Sequence, residues 1–187
     1  MINVVWFKRD LRVHNNEALV KATKTGRVLP LYIYEPSLWR QEEMSSRQHA
    51  FLKVSLEELN SALLELGCRL IIKNGNAIDI LRDLHLRYGI SQVYSHQETW
   101  NGWTYRRDIK VARWLKSHDI RWFEVNQNGV IRGLKDRNGW AKKWQTQMAT
   151  SQFLAPKKIE SISEPSDAIE VHPNRSDKNN KTQILLK

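Results

Sequence analysis

The chain has 187 residues, enough for one domain with a full hydrophobic core but too few for two domains of ordinary size. Its formal net charge of +10 permits a polyanionic partner such as nucleic acid, and nine of these ten charges lie on residues 1–155. The single cysteine, Cys68, excludes an intramolecular disulfide framework and, beside Gly67 and an apolar run, is predicted to be a buried structural thiol.

Five apolar runs, each followed by a polar loop, predict the strands of a sheet. They are residues 4–7, 28–34, 68–72, 92–95 and 120–125. Helical patterns separate them at 17–24, 45–67, 76–89 and 104–117, and a further helix is predicted at 140–148. This alternation is typical of right-handed βαβ units with parallel strands. We therefore predict an α/β fold: a three-layer, Rossmann-like open sheet of five parallel strands with helices on both faces.

Two helices carry patterns with more than one interpretation. In the helix at 104–117, Tyr105, Ala112 and Leu115 are expected to point inward. The same helix has a basic stripe that is either a solvated face or a contact for a phosphate backbone; it comprises Arg106, Lys110 and Arg113. In the last helix, one face carries aromatic and sulfur side chains that we expect to join the core, namely Trp140, Trp144 and Met148.

From residue 156 the sequence is rich in Ser, Asn, Lys and Pro and loses its periodicity. This composition predicts a folded domain over residues 1–155 and a flexible linker or tail over residues 156–187. The start of the chain lacks a basic and then apolar leader, and no apolar run approaches the ~20 residues of a membrane span. We expect a soluble cytoplasmic protein with no membrane contact.

A cluster of charged residues follows the first strand, where an open α/β sheet usually holds its ligand. Lys8, Arg9, Asp10 and Arg12 lie within five positions of one another. They form either an anion or chromophore site, or a loop shaped by an Asp10–Arg12 salt bridge. Both interpretations stay open on the sequence alone.

Two further polar and aromatic segments are predicted at the same sheet edge. Aromatic rings beside fixed polar groups suit a flat heterocycle, although Trp100 and Trp103 could simply cover the sheet. The candidate cofactor-binding residues are Lys8, Arg9, Asp10, Tyr34, Glu35, Arg47, His96, Glu98 and Trp100. No Gly-rich phosphate loop, no Cys/His pattern with metal spacing and no nucleophile elbow is present, so neither a metal site, an adenine-nucleotide site nor a self-sufficient enzyme is predicted.

The opening of the chain resembles a known family. Residues 5–19 read V-W-F-K-R-D-L-R-V-H-N-N-E-A-L, similar to the DNA photolyase/cryptochrome opening W-F-R-x-D-L-R-x-x-D-N-x-A-L. Lys8 stands where the family usually has Arg, and Asn15 where it usually has Asp. The helix start at residues 103–108 also has counterparts in the family. The resemblance covers about residues 3–155 and implies the family's N-terminal domain, which in many members holds a light-harvesting antenna chromophore.

The resemblance implies that antenna binding and catalysis belong to different domains. In the family, deoxyribodipyrimidine photo-lyase activity depends on FAD in a separate helical domain, which also meets the damaged DNA; that domain is absent from this chain. Because Trp103 and Thr104 replace the Asn-Glu pair of folate-binding relatives, a flavin or deazaflavin antenna is favoured over folate. For this chain alone we expect at most weak, electrostatic DNA binding, with pairing to a partner domain or to a second copy possible. The alternative is a chromophore-free regulatory module that pairs with a partner protein.

Overall fold

The computed structural model describes residues 2–126, 129–130, 132 and 136–169. The strands are β1 (Ile2–Phe7), β2 (Arg27–Tyr34), β3 (Ile71–Asn74), β4 (Ile90–His96) and β5 (Arg121–Val125). The helices are α1 (Glu17–Thr23), α2 (Pro36–Trp39), α3 (Ser46–Glu65), α4 (Ala77–Tyr88), α5 (Gly102–Ser117) and α6 (Trp140–Met148). Within the described ranges the strands form one parallel sheet in the order β3-β2-β1-β4-β5, which confirms the predicted fold class.

The central strand is β1, which pairs with β2 on one side and β4 on the other. The chain builds outward from β1 through β2 to β3, then crosses to the opposite side of β1 to form β4 and β5. The strand order therefore reverses between β1 and β4. In open α/β sheets, ligands bind outside the carboxyl ends of the strands at such a reversal.

Alternating side chains of β1 feed two hydrophobic cores, because successive strand residues point to opposite faces. Val5 and Phe7 pack under α1 and α3, whereas Val4 and Trp6 pack under α4 and α5. Every residue of β1 is buried. A strand covered on both faces is expected to be apolar throughout, as this one largely is.

Local sequence signals explain where most helices begin and end. Helix α3 begins with a capping box: the Ser45 hydroxyl accepts from the Gln48 amide, and the Gln48 side chain accepts from the Ser45 amide. The Asn76 side chain caps α4 by accepting from the Ile78 amide, and Gly89 ends this helix with a φ of 65°, a conformation that favours glycine. Asn101 caps α5, so this helix begins two residues earlier than predicted.

Two predicted helix faces were wrong. On α5, Tyr105 is 57% exposed and Ala112 is also exposed; of the three residues expected inside, only Leu115 is buried. The buried face of α5 instead comprises Thr104, Asp108, Val111 and Leu115. A charged residue at the centre of this face broke the apolar pattern on which the prediction rested.

Helix α6 has no buried residue, so the expectation that its aromatic face joins the core was also wrong. Trp140, Trp144 and Met148 are 40%, 42% and 50% exposed. The two indole rings stack on each other with centroids 6.5 Å apart. The i, i+4, i+8 spacing places these residues on one side of the helix, but the sheet does not cover that side.

Residues 156–169, here called the edge segment, differ from the flexible linker that was expected from residue 156. Ile159 is buried in the core, and the Ile159 amide donates to the Leu66 carbonyl. Further along, the Asp167 amide donates to the carbonyl of Ile72 in β3. The edge segment thus covers the open edge of the sheet, where unpaired backbone groups would otherwise be exposed. The remaining part of the predicted tail, residues 170–187, lies outside the described residues.

Candidate functional site

A cavity of about 380 Å³ opens at the carboxyl edge of the sheet, beside the point where the strand order reverses. We call it the aromatic cavity. The ends of β1 and β2, helix α2, the first turns of α3, the loop after β4 and one residue of α5 form its walls. Its lining residues are Trp6, Phe7, Lys8, Arg9, Leu11, Tyr32, Ile33, Glu35, Leu38, Trp39, Met44, Arg47, Gln48, Phe51, Leu52, Ser55, Glu98, Trp100 and Arg107.

A buried ionic network lies along one wall of the aromatic cavity, with Arg107 at its centre. The Arg107 guanidinium donates to Glu35 Oε2 at 2.7 Å, to Glu98 Oε2 at 2.5 Å and to Asp108 Oδ1 at 2.8 Å. Lys8 Nζ lies 3.0 Å from the other oxygen of Asp108. Burial would lower the pKa of Arg107, but the three carboxylates raise it, so the guanidinium stays charged.

Glu35 is the incomplete member of this network. It is 2% exposed, and its second oxygen, Oε1, is buried and accepts no hydrogen bond of ordinary geometry from the described part of the chain. Burial raises the pKa of Glu35, while Arg107 and, more weakly, the Ala77 amide oppose that shift. An acceptor left unpaired in a buried position carries a free-energy cost, which a ligand able to donate a hydrogen bond would remove.

A second, more polar cavity of about 470 Å³ adjoins the first, and we call it the polar cavity. It is lined by Lys8, Arg9, Asp10, Arg12, His96, Gln97, Glu98, Thr99 and Trp100. His96 Nδ1 lies 2.5 Å from Asp10 Oδ2, and Asp10 Oδ1 accepts from the Lys8 amide at 3.0 Å. Burial would raise the pKa of Asp10, but the contacts with His96 and the Lys8 amide outweigh it and lower that pKa.

The nine candidate residues are distributed over these two cavities. The aromatic cavity brings together six of them: Lys8, Arg9, Glu35, Arg47, Glu98 and Trp100. Asp10 and His96 line the polar cavity instead. Tyr34 lines neither, because it is buried in a stack with Trp39 at a centroid distance of 5.6 Å. Its binding role is not supported by its position.

The Asp10–Arg12 salt bridge that the sequence allowed does not form. Asp10 pairs with His96, and Arg12 donates to the backbone carbonyl of Asn15 at 3.2 Å. The sequence could not indicate that Asp10 pairs with His96 instead of Arg12, because Asp10 and His96 are 86 positions apart. The pair forms because β1 and β4 are neighbours and their polar ends meet at the same sheet edge.

Several residues of the aromatic cavity were missed. Tyr32 lies in a strand that was predicted only as buried, and neither Trp39 nor Phe51 was a candidate residue, yet all three line the cavity. Arg107 was not among the candidate residues, although it points inward to three carboxylates. The available signal was the adjacent Asp108, since an Arg-Asp pair on a helix facing a polar sheet edge is a candidate for burial.

The described residues contain no cluster of three or more His, Cys, Asp or Glu side chains that could hold a metal ion. They also contain no helix that is long and apolar enough to cross a membrane. The basic stripe of α5 is solvent-exposed at Arg106, Lys110 and Arg113. Its exposure is compatible with both interpretations of the stripe.

The structure is that of a Rossmann-like domain with two cavities at the switch point of its sheet, and comparison with known proteins identifies its family. A model of the DNA photolyase family matches residues 3–153. The chain belongs to the DNA photolyase family. The deoxyribodipyrimidine photo-lyase of Escherichia coli is 29% identical over 93% of this chain.

Solved structures show the same fold. A class III photolyase from Agrobacterium tumefaciens superimposes with a TM-score of 0.71 at 24% identity over 89% of this chain. An archaeal photolyase from Sulfolobus tokodaii gives 0.66 at 22% identity over 86%. The chain covers 41% of the Escherichia coli protein and 36% and 38% of the two solved structures, so it spans less than half the length of these relatives.

Proposed function

We propose that this domain binds a flat conjugated chromophore of the flavin or deazaflavin type in the aromatic cavity. The chromophore would serve as a light-harvesting antenna for a flavin-dependent DNA-repair or photoreceptor protein of the photolyase and cryptochrome family. Repair of damaged DNA itself would depend on parts of the longer relatives that this chain does not include. The observation that carries this proposal is that Glu35 lines an aromatic-walled cavity and has one buried oxygen, Oε1, without a hydrogen-bond partner of ordinary geometry in the described part of the chain.

The walls of the cavity suit a ring system. Its volume of about 380 Å³ falls within the ~300–1,000 Å³ typical of small-molecule sites. Indole and phenyl groups from Trp6, Trp39 and Phe51 line it, and such groups favour stacked or edge contacts with aromatic ligands. Phe51 is 75% exposed, so an incoming ring would cover apolar surface that water now contacts.

The polar groups of the cavity suit a ring with both a donor and acceptors. A flavin-type ring has an N–H between two carbonyl groups, and Glu35 Oε1 offers the matching acceptor. Arg47, in the first turn of α3, lines the cavity, and its guanidinium has only hydrogen-bond donors. This combination favours a lactam-containing ring over a purely hydrocarbon ligand. The Sulfolobus tokodaii photolyase, which shares the fold, is described as containing two FAD molecules, with the implication of a novel light-harvesting cofactor.

The first test is spectroscopic. The purified chain should carry an absorption band beyond the tryptophan region, or should acquire one on titration with riboflavin, and denaturation should release the bound chromophore. A colourless protein that refuses flavins and deazaflavins would overturn the antenna proposal. It would favour the alternative of a chromophore-free module that pairs with a partner protein.

A pair of serine variants tests the location of the site. Ser55 lines the aromatic cavity and donates to the Phe51 carbonyl at 3.0 Å. Ser61 lies on the same helix, is exposed and makes the same bond to the Glu57 carbonyl. Ser55→Trp should weaken riboflavin binding by about tenfold or more, because overfilling a packed site costs about 1–3 kcal/mol. Ser61→Trp should leave binding unchanged; equal binding by both variants would place the ligand elsewhere.

A further inference from the structure

Two histidines meet where helices α4 and α5 end, at the amino edge of the sheet. His85 lies in the last turn of α4, and His118 is the C-cap of α5. Their ring centres are 6.2 Å apart, and the ring of Trp114 lies 4.5 Å from that of His118 and 6.4 Å from that of His85. We call these three residues the histidine cluster. None of them lines the aromatic or the polar cavity, which open at the opposite edge of the sheet.

Each imidazole of the histidine cluster keeps one nitrogen available. His118 Nδ1 lies 2.9 Å from the Trp114 carbonyl, and because a carbonyl only accepts, this nitrogen carries the proton and Nε2 keeps the lone pair. His85 Nδ1 is buried and has no hydrogen-bond partner of ordinary geometry among the described residues. Leaving such a nitrogen buried and unpaired has a free-energy cost, which a ligand would remove. An imidazole held by a backbone carbonyl, like that of His118, is typical of metal-ligating histidines.

We propose that His85 and His118 together bind one divalent transition-metal ion of the kind that prefers imidazole, such as Cu²⁺, Ni²⁺ or Zn²⁺. A metal–nitrogen bond of about 2.1 Å allows the ring centres of two such ligands to be at most about 6.4 Å apart. The observed 6.2 Å lies within this limit, and the exposed His118 ring can approach further for a bent geometry. Water supplies the remaining ligands, so this is an open site and not a closed structural one.

The position of the histidine cluster favours a cation. The C-terminal end of a helix has a partial negative charge, and the cluster lies at two such ends. Asp119 follows His118 directly and adds a negative charge, whereas the opposing charge of Lys116 is on an exposed side chain and is screened by solvent. An ion held by both histidines would link α4 to α5. Metal binding should therefore raise the thermal midpoint of unfolding.

The test is a Cu²⁺ titration of the purified chain followed by tryptophan fluorescence. Bound Cu²⁺ should quench Trp114, whose ring lies beside that of His118. His118→Gln and His85→Gln should each weaken binding by about tenfold or more, because the second ligand of a shared ion binds at a high effective concentration. The double variant should bind no more weakly than either single variant by more than about twofold, since one remaining imidazole gains little from the site.

His14→Gln is the matched control. His14 is exposed, lies outside the histidine cluster and has a ring nitrogen 2.9 Å from the Gln152 side chain. This variant should bind Cu²⁺ with the affinity of the original protein. Unchanged affinity in His118→Gln, or an equal loss in His14→Gln, would overturn the site. A loss in His118→Gln with none in His85→Gln would show that the two histidines do not share an ion.

A second measurement keeps the proposal testable if His85→Gln folds poorly by circular dichroism. Ni²⁺ should raise the thermal midpoint of the original protein and of His14→Gln but not that of His118→Gln, whose substituted side chain is exposed and should leave the fold intact. An equal rise in all three proteins, or no rise in any of them, would contradict an ion that links α4 to α5.

Discussion

Two buried glutamates show how differently one fold can treat the same side chain. Glu164 in the edge segment and Glu35 at the aromatic cavity are 5% and 2% exposed. Arg87 and Lys73 contact Glu164 at 2.6–2.9 Å, and the Tyr88 hydroxyl also donates to it. Glu35 accepts from Arg107 through one oxygen, and its other oxygen has no hydrogen-bond partner of ordinary geometry among the described residues.

The direction of each pKa shift follows from this difference in hydrogen bonding. Burial alone would raise the pKa of both carboxyls, because it disfavours the charged form. At Glu164 the surrounding donors outweigh burial and lower the pKa to about 2. At Glu35 burial dominates and the pKa is raised. A buried carboxylate whose oxygens both accept hydrogen bonds, such as Glu164, stabilises the contact between two parts of the chain. A buried carboxylate with an unused acceptor, such as Glu35, is available to a ligand.

The largest expected effect on stability comes from Glu164→Gln. Its amide nitrogen would face Arg87 or Lys73, so a donor would meet a donor where an ion pair existed. We expect the free energy of unfolding to fall by about 2 kcal/mol, measured by urea denaturation. The edge segment should also lose protection in hydrogen exchange, since its anchor on α4 and β3 is weakened.

Glu160→Gln is the matched control for this variant. Glu160 belongs to the same edge segment, but its side chain is exposed and only its backbone carbonyl is bonded, to the Val28 amide. Its unfolding free energy should stay within about 0.5 kcal/mol of the original protein. Equal losses in the two variants would show that Glu164 is not a special anchor.

Acidification should change the contributions of the two glutamates to the free energy of unfolding in opposite directions. The contribution of Glu164 is complete above its ordinary pKa of 4.5 and is lost as the pH falls toward about 2. Glu35 has a raised pKa, so its contribution is present at low pH and is lost as the pH rises above 4.5 through the folded-state value. The stability difference between the original protein and Glu164→Gln should therefore shrink between pH 4.5 and 2 in urea denaturation. A difference that stays constant over this range would contradict the ion-pair origin of the stabilisation.

The contrast between these regions also shows what the sequence could reveal about the fold. Strands such as β1 and β2 were predictable because burial on both faces makes them apolar throughout. The edge segment was not, because backbone hydrogen bonds, one buried carboxylate and isolated side chains such as Ile159 attach it to the fold without a periodic sequence pattern. Residues such as Asp167 and Ser166 have loop-like composition, and only their contacts with β3 reveal their position.

The candidate site was predictable mainly where the loops after strands supplied polar residues. Arg9 and Glu98 follow directly on strands, so the parallel sheet brings them together. Contributions from helix surfaces, such as Phe51 and Arg107, depend on the rotation of each helix about its axis. The phase of α5 was misjudged because Asp108, a buried charge paired with Lys8, occupies a core position.

A smaller effect on stability than that of Glu164→Gln, and the sharpest test of the comparison, is expected from Glu35→Gln. The side-chain carbonyl of the substituted residue can still accept from Arg107. Arg107 also keeps Glu98 and Asp108 as partners. The unfolding free energy should therefore change by less than about 1 kcal/mol. The new amide group would then direct a donor into the aromatic cavity, where a flavin N–H also needs an acceptor. We expect flavin affinity to fall by about tenfold or more in titration, because an unmatched buried donor costs about 1–3 kcal/mol. The Glu164→Gln variant is the control, because residue 164 lines neither cavity, and it should bind flavin normally despite its lower stability. If this variant lost flavin affinity in proportion to its stability, the affinity would depend on the folded fraction of the protein and not on the Glu35 acceptor.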